Sequence, residues 1–419
     1  MSQESDRTLQ QLDEYMTRSV LGGRLGQAYG GKRDIYKQAG YPEHGELDYN
    51  DYKGEFDRHD IARRLVTAFP DATWREGPTI KENEEKGLTD FEQKYKDLVK
   101  KLDVYHYFHR ADVLSCVGNY SVVLMGLNDI SSVEDMKNEA SGADDVVFLQ
   151  VYSQANATIK EYYDDPSSEK FGRPKLYQIT MKNLGSTTAS RTINVHESRI
   201  IHFAEECIED DYQGTPCLMP IYNRLKDLDK IFASCAEGFW RAAWPGLAAK
   251  KDPEVRWQPE AESEIQSQFQ RYAQGLSRVM RLEGVDIQEL ASKPASPKDH
   301  VDVNLDVIAG TRRIPKRILT GSEQGEMAST QDRENWHNRI MERRMNWAQP
   351  YIIHQFLTKL DRCGVLDMPA DGYSISWPRK QHSARDQTEI NRKKSEMIAA
   401  YAKQPGTEAV YPHFYFLTK

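Results

Sequence analysis

The sequence has no apolar run approaching the ~18 residues that a membrane-spanning helix requires, and its acidic start, Met1-Ser2-Gln3-Glu4-Ser5-Asp6, is unlike a secretory signal. Only five cysteines occur, Cys116, Cys207, Cys217, Cys235 and Cys363, and no two form a CxxC pair. That spacing excludes the common zinc and dithiol motifs and predicts reduced thiols. No GxxxxGK[ST] phosphate loop, GxSxG nucleophile elbow, HExxH pair or strand-following GxGxxG is present. Internal repeats and low-complexity tracts are also missing. Positive charge is in deficit: 56 Lys and Arg stand against 64 Asp and Glu, a net −8. A chain that grips DNA by counterion release would carry the opposite balance. A chain that surrounds DNA without holding it is still allowed.

What the 419 residues do contain is 39% hydrophobic residues, seven Trp, thirteen Phe and 22 Tyr. These exclude wholesale disorder, and the length predicts two or three domains at ~100–200 residues each. The class expected is α+β, with mixed elements first and mostly helix afterwards. Residues 1–55, rich in Gly and Tyr, read as an extended arm. Ile61, Leu65 and Ala68 mark a short helix ended by Pro70. Asp90 can cap a helix to about Arg110, with Phe91, Tyr95, Leu98 and Leu102 on one face. Ser121–Leu127, Val146–Tyr152, Lys175–Met181, Arg191–Val195 and Arg199–Phe203 read as strands.

From Cys217 the period becomes helical, with Leu218, Ile221, Leu225, Leu228 and Phe232 on one stripe. A helix over Glu260–Arg281, a strand over Asp286–Leu290 and an apolar-periodic segment over Val301–Thr311 follow. Gly321–Ser329 reads as a mobile loop. Thr330 then caps a helix to Cys363, with Trp336, Ile340, Trp347 and Tyr351 on one face, a kink at Pro350 and Gly364 closing it. A last helix is expected over Asp386–Lys403.

The search for chemistry yields little. His106 and His109 stand three apart on a helix end, and a surface or core role is the commoner meaning. His196 and Ser198 form a single His-x-Ser, whereas a two-histidine phosphoesterase needs a second such motif. His196 is therefore read as structural. Asp144-Asp145, Asp164-Asp165 and Asp210-Asp211 lie in turn-like contexts and lack a third convergent ligand. The basic clusters Arg312-Arg313, Lys316-Arg317, Arg339, Arg343-Arg344 and Arg392-Lys393-Lys394 are read chiefly as solvated faces or ion pairs, with phosphate contact as the alternative. Neither a catalytic residue, a metal ligand nor a cofactor site is assigned.

One stretch carries a resemblance. Ile308–Trp336, IAGTRRIPKRILTGSEQGEMASTQDRENW, is similar to the portal proteins of tailed bacteriophages, with a short helix, an Ile-Pro turn, a Leu-x-Gly step, a Gly/Ser/Glu loop and a long helix. Four more segments agree in order: Tyr29–Tyr36, Ala62–Val66 with Trp74-Arg75, Asp164–Ser168 with Phe171–Pro174 and Tyr177, and Val195–Ile200. The resemblance implies a portal fold with an α/β wing, a helical stem, an α/β clip, a tunnel loop, a long spine helix and a short helical crown. Its parts would be an arm at 1–55, wing at 56–215, stem helix at 216–243, clip at 244–297, second stem helix at 298–314, tunnel loop at 315–329, spine helix at 330–363 and crown at 364–419.

The resemblance further implies a homododecamer at one capsid vertex in the virion, assembled in the host cytoplasm, through which double-stranded DNA is packaged and ejected. Its implied partners are the terminase large subunit, a head–tail adaptor, and the major capsid and scaffolding proteins, with no membrane. Ser322, Glu323, Gln324, Gly325, Glu326 and Met327 would form the loop facing the DNA. Gln268, Arg271, Arg278 and Arg281 would dock partners at the clip. No cofactor and no enzymatic activity are implied. Twelve copies at −8 would give the ring −96, a like charge that lets DNA slide. The family's N-terminal region is also related to anti-CBASS-type phage phosphodiesterases, so cyclic-nucleotide hydrolysis is the alternative reading, with a virion assembly protein lacking a channel as a third.

Overall fold

The computed structural model describes residues 47–83, 87–181, 191–243, 246–251, 259–273, 285–290, 296–321, 326–378 and 391–396. Its helices are α1 Tyr49–Arg58, α2 Asp60–Trp74, α3 Asp90–Leu102, α4 Val104–Val117, α5 Tyr222–Ala243, α6 Pro259–Ala273, α7 Lys298–Arg312, α8 Lys316–Thr320, α9 Glu326–Arg343 and α10 His354–Cys363. Its strands are β1 Thr79–Glu82, β2 Ser121–Leu127, β3 Val146–Ser153, β4 Ala157–Tyr162, β5 Pro174–Met181, β6 Arg191–His196, β7 Ile200–Phe203, β8 Gly246–Lys251, β9 Val285–Leu290 and β10 Tyr373–Ser376. The α+β class expected from the sequence is the one observed. The chain divides into two compact units. One comprises Met1–Thr67, Cys116–Gly118 and Thr215–Gln324; the other comprises Ala68–Ser115, Asn119–Gly214 and Gly325–Lys419.

In the second unit, β2 lies between β3 and β7, both antiparallel to it, with Val123 opposite Val151 on one side and Ile201 on the other. Every residue of β2 is buried, so its apolar run reflects cover on both faces. The Phe148 ring packs over Gly126, where a Cβ would sit about 2.1 Å from it. A second antiparallel sheet, β4-β5-β6, and the pair β1-β10 complete the strand set of this unit. Phe108 on α4 centres the core. Its ring meets Trp74 at 5.5 Å, Phe203 at 5.6 Å and Phe356 at 5.3 Å, all edge-on, the geometry favoured by the ring quadrupole.

In the first unit, α1 opens with a capping box in which Asp48 accepts from the Asp51 N–H and Asp51 returns the bond. Tyr52, Ala62, Leu65, Leu225, Leu228, Leu305 and Ile308 are buried in it. The α7 helix stops at Arg313, left-handed at φ 54°. Pro315 precedes α8, and Gly321, at φ 73°, ends that helix. The strands β8 and β9 pair antiparallel, with Ala248 opposite Gln288.

Several expectations are corrected. Within the stretch read as an extended arm, residues 49–55 are helical; residues 1–46 lie outside the described residues. Pro70 does not end α2, which runs on to Trp74. Burial of Thr73 and Trp74 beyond the proline offsets the one backbone hydrogen bond it removes. The helix expected from Asp90 to Arg110 is two helices, broken at Asp103, whose backbone is left-handed at φ 51°. Its cap is Thr89, not Asp90: the Thr89 side chain accepts from the Glu92 N–H.

The helix expected to begin at Thr330 begins at Glu326, so Glu326–Ser329 is not loop, while Ser322–Gly325 lies outside the described residues. At Pro350, where a kink is expected, Arg344–Ile353 winds as a π-helix, whose wider turn accommodates the missing donor. That winding also changes the buried face. Trp347 and Ala348 face inward and are followed by Ile352 and Ile353, each five residues on, while Tyr351 is 63% exposed. Residues 373–376, expected in a helical crown, form the strand β10, and Leu366 and Trp377 belong to the second unit's core. Of the last helix, only 391–396 is described, as helix.

Candidate functional site

Of the loop expected to face DNA, Ser322, Glu323, Gln324 and Gly325 lie outside the described residues, and the backbones of Glu326 and Met327 open α9. Of the expected clip contacts, Gln268 is half-buried and Arg271 exposed on α6, while Arg278 and Arg281 fall outside the described residues.

The basic clusters divide sharply. Lys316 pairs with Asp302 at 3.2 Å and Asp306 at 2.9 Å on α7. Arg339 is a helix-face partner of Glu342, three residues on. Arg343 and Arg344, by contrast, are buried and unavailable to a DNA backbone. Arg343 donates to Asp112 at 2.7 and 2.9 Å, to Glu205 twice at 2.7 Å and to Thr73 Oγ1 at 2.7 Å. All five of its N–H donors are used. The Trp74 indole N–H adds a bond to Asp112 at 2.7 Å, and the Trp347 ring lies 4.2 Å from the guanidinium carbon. Burial opposes the charge on Arg343, but Asp112 and Glu205 outweigh it and hold its pKa above the ordinary value. Arg344 bonds the carbonyls of Ala72 at 3.0 Å and Thr73 at 2.9 Å. The sequence reading missed this network. Its signal was Asp112, a lone acid inside the apolar run after Ala111, which demands a buried cation.

His196 is built as a structural residue. The Ser198 hydroxyl takes the Ala140 N–H at 2.9 Å and lies 3.0 Å from His196 Nδ1. The Ser198 backbone N–H also donates to Nδ1, so the ring's proton resides on Nε2, 3.3 Å from the Tyr163 hydroxyl. Burial lowers its pKa further. Both ring nitrogens are engaged within the fold, which leaves neither aimed at a substrate. His106 is exposed and His109 meets Asp71 at 2.8 Å, a surface pair that the sequence did not reveal.

In the first unit, Glu55, His59 and Asp229 approach with their polar atoms within 4.8 Å of one another. His59 Nδ1 accepts the Ile61 N–H at 3.2 Å and caps α2. That bond leaves the proton on Nε2, so His59 offers no lone pair there, and Lys226 already pairs with Glu55. The cluster is an ion-paired helix junction.

The phage portal protein family model matches residues 54–400. The chain belongs to this family. Two solved structures share the fold. Against the neck of an empty gene transfer agent particle, computed with C6 symmetry, the TM-score is 0.53 at 14% identity, covering 89% of this chain and 94% of that one. Against the neck of the native particle, computed with C12 symmetry, it is 0.51 at 12% identity, covering 93% and 95%. A curated relative from Sphingomonas paeninsulae, named anti-CBASS protein Acb1, is 21% identical over 287 residues, 64% of this chain. The portal chain spans 45% of that relative's length.

Proposed function

We propose that this portal protein is the subunit of a twelve-membered ring at one capsid vertex, enclosing the channel for double-stranded DNA during packaging and ejection. The family match over 54–400 carries the reading, supported by the fold shared with a particle neck computed with C12 symmetry. The segment leading into α9, with Glu323 and Glu326, would face DNA, and its acidity suits passage without adhesion. The region of α6, with Gln268 and Arg271, would dock the terminase large subunit and later a head–tail adaptor, while capsid and scaffolding proteins would surround the ring in the virion. Mass photometry with negative-stain imaging tests this: rings of about 580 kDa, twelve times 48.2 kDa, with a central hole are expected. A chain that stays monomeric alone and with its capsid and scaffolding proteins overturns it. Within rings, Glu323→Lys with Glu326→Lys should impair DNA translocation while leaving assembly intact; unimpaired packaging would remove the loop from the channel.

The relative named as an anti-CBASS protein motivates an enzymatic second reading. The engaged ring of His196 weighs against it. Cyclic-nucleotide hydrolysis by the purified chain, lost in His196→Ala, is the result this reading requires.

A further inference from the structure

A cavity of about 330 Å³ opens within the second unit, between the β5 and β7 region and α10. That is the lower end of the range for small-molecule pockets. Its lining departs from the rest of this acidic chain: Lys170, Arg173, Lys359 and Arg362 face it, against a single carboxylate, Glu197. The charges are not equivalent. Glu197 is held between two lysines, at 3.0 Å from Lys170 and 3.0 Å from Lys359. Lys359 spends its remaining donors on the carbonyls of Glu197 and Ile200. The one anion is therefore consumed inside the wall.

The neighbouring wall is fixed and neutral. His202 is nine-tenths buried, with Nε2 2.9 Å from the Tyr212 carbonyl and Nδ1 3.1 Å from the Tyr177 hydroxyl. The carbonyl can only accept, so Nε2 carries a proton, and burial, which lowers the ring's pKa to about 4, keeps it uncharged. Two cations are left over. Arg173, before β5, and Arg362, in the last turn of α10, are exposed at the rim, and neither guanidinium has an ion-pair partner among the described residues.

We propose that this cavity is a binding site for a small phosphate-bearing dianion, gripped by Arg173 and Arg362. Two unpaired guanidiniums match a dianion in charge, and their planar forks match phosphate oxygens in geometry. The paired lysines behind them add a positive field without competing for the same oxygens. A monocarboxylate would leave one arginine unanswered. The site involves neither the channel loop nor the clip region, so it does not depend on the portal reading.

Calorimetric titration of the full chain at constant ionic strength tests it, with inorganic phosphate and adenosine monophosphate as separate probes. One saturable site per chain is expected for at least one probe. Equal affinities would mean that the phosphate head alone is recognised, and tighter nucleotide binding that the cavity walls also contribute. Arg173→Ala and Arg362→Ala should each weaken binding by about tenfold, the usual loss for a charged hydrogen bond, and the double variant should abolish it. Lys94→Ala with Lys160→Ala, at exposed positions outside the cavity, should leave it unchanged. Circular dichroism checks that each variant is folded. No saturable binding of either probe, or undiminished binding by the folded double variant, overturns the proposal. So does a double variant whose only defect is ring assembly, because an acidic group of a neighbouring copy would then be the occupant.

Discussion

The two units end their apolar faces differently. In the second, Phe108 is enclosed by Trp74, Phe203 and Phe356, and even the charge of Arg343 is satisfied internally. In the first, α5 buries Leu225 and Leu228 completely and then exposes Phe232 at 48% and Phe239 at 58%. The α7 helix likewise buries Leu305 and Ile308 while Val303 and Val307 are exposed. The second unit thus closes a large aromatic core, with Val147, Phe171, Ile208 and Tyr351 exposed singly on its surface, whereas in the first the exposed Phe232 and Phe239 continue the buried stripe of a single helix. That contrast teaches where assembly should act: on the first unit's helices.

The contrast can be broken most violently at Arg343. Arg343→Ala leaves Asp112 buried, and Glu205 partly so, without their cation and should cost about 3–5 kcal/mol, read as a lower urea midpoint. Arg339→Ala, on an exposed helix-face pair, should change stability by less than about 0.5 kcal/mol. Similar losses from both would remove the keystone role.

A smaller effect comes from His202, whose burial lowers its pKa from 6.5 to about 4. Because the folded state disfavours the proton, the stability this residue contributes is complete above pH 6.5 and is lost as pH falls from 6.5 toward 4. The full loss is on the order of 3 kcal/mol. Between pH 6.5 and 4.5 the slope precedes the titration of Glu197, whose pKa of about 2 is set by Lys359 and Lys170 against its own burial. His202→Gln should be less stable at neutral pH and flat across that window, measured by urea titration at successive pH values. An unchanged slope would place the acid sensitivity elsewhere.

The smallest effect on stability should come from the exposed side of the comparison. Phe232→Ser with Phe239→Ser should shift the isolated chain by no more than about 0.5 kcal/mol. The same pair should reduce ring yield in mass photometry. Intact assembly would show that these faces meet no neighbour.

Legibility followed the reach of the forces involved. The strands from Ser121 to Phe203 were readable because burial on two faces or one leaves a run or an alternation in the sequence. The stripe on α5 was readable as far as Leu228 for the same reason. Pro70 misled, because the local rule for proline was overridden by packing on both sides. The strands β1, β4, β8 and β10 went unread; β1 and β10 have only four residues each and pair across nearly 300 positions. The portal family was legible through ordered motifs, while the network of Arg343 was not: its partners Thr73, Asp112 and Glu205 are far apart in the chain and meet only after folding. Arg173 and Arg362 were invisible as a pair for that reason as well.

The π-helix between α9 and α10 has a consequence for gearing. A wide turn is equivalent to one residue added to an α-helix, so the parts before and after it keep separate rotational phases. Arg343 points at Asp112 while Phe356 and Leu360 point into the aromatic core. Deleting one residue from the wide turn would shorten the rod by only ~1.5 Å but rotate one end against the other by about 100°. The register between charge keystone and core is therefore set at Arg344–Ile353, by count of residues rather than by any one side chain.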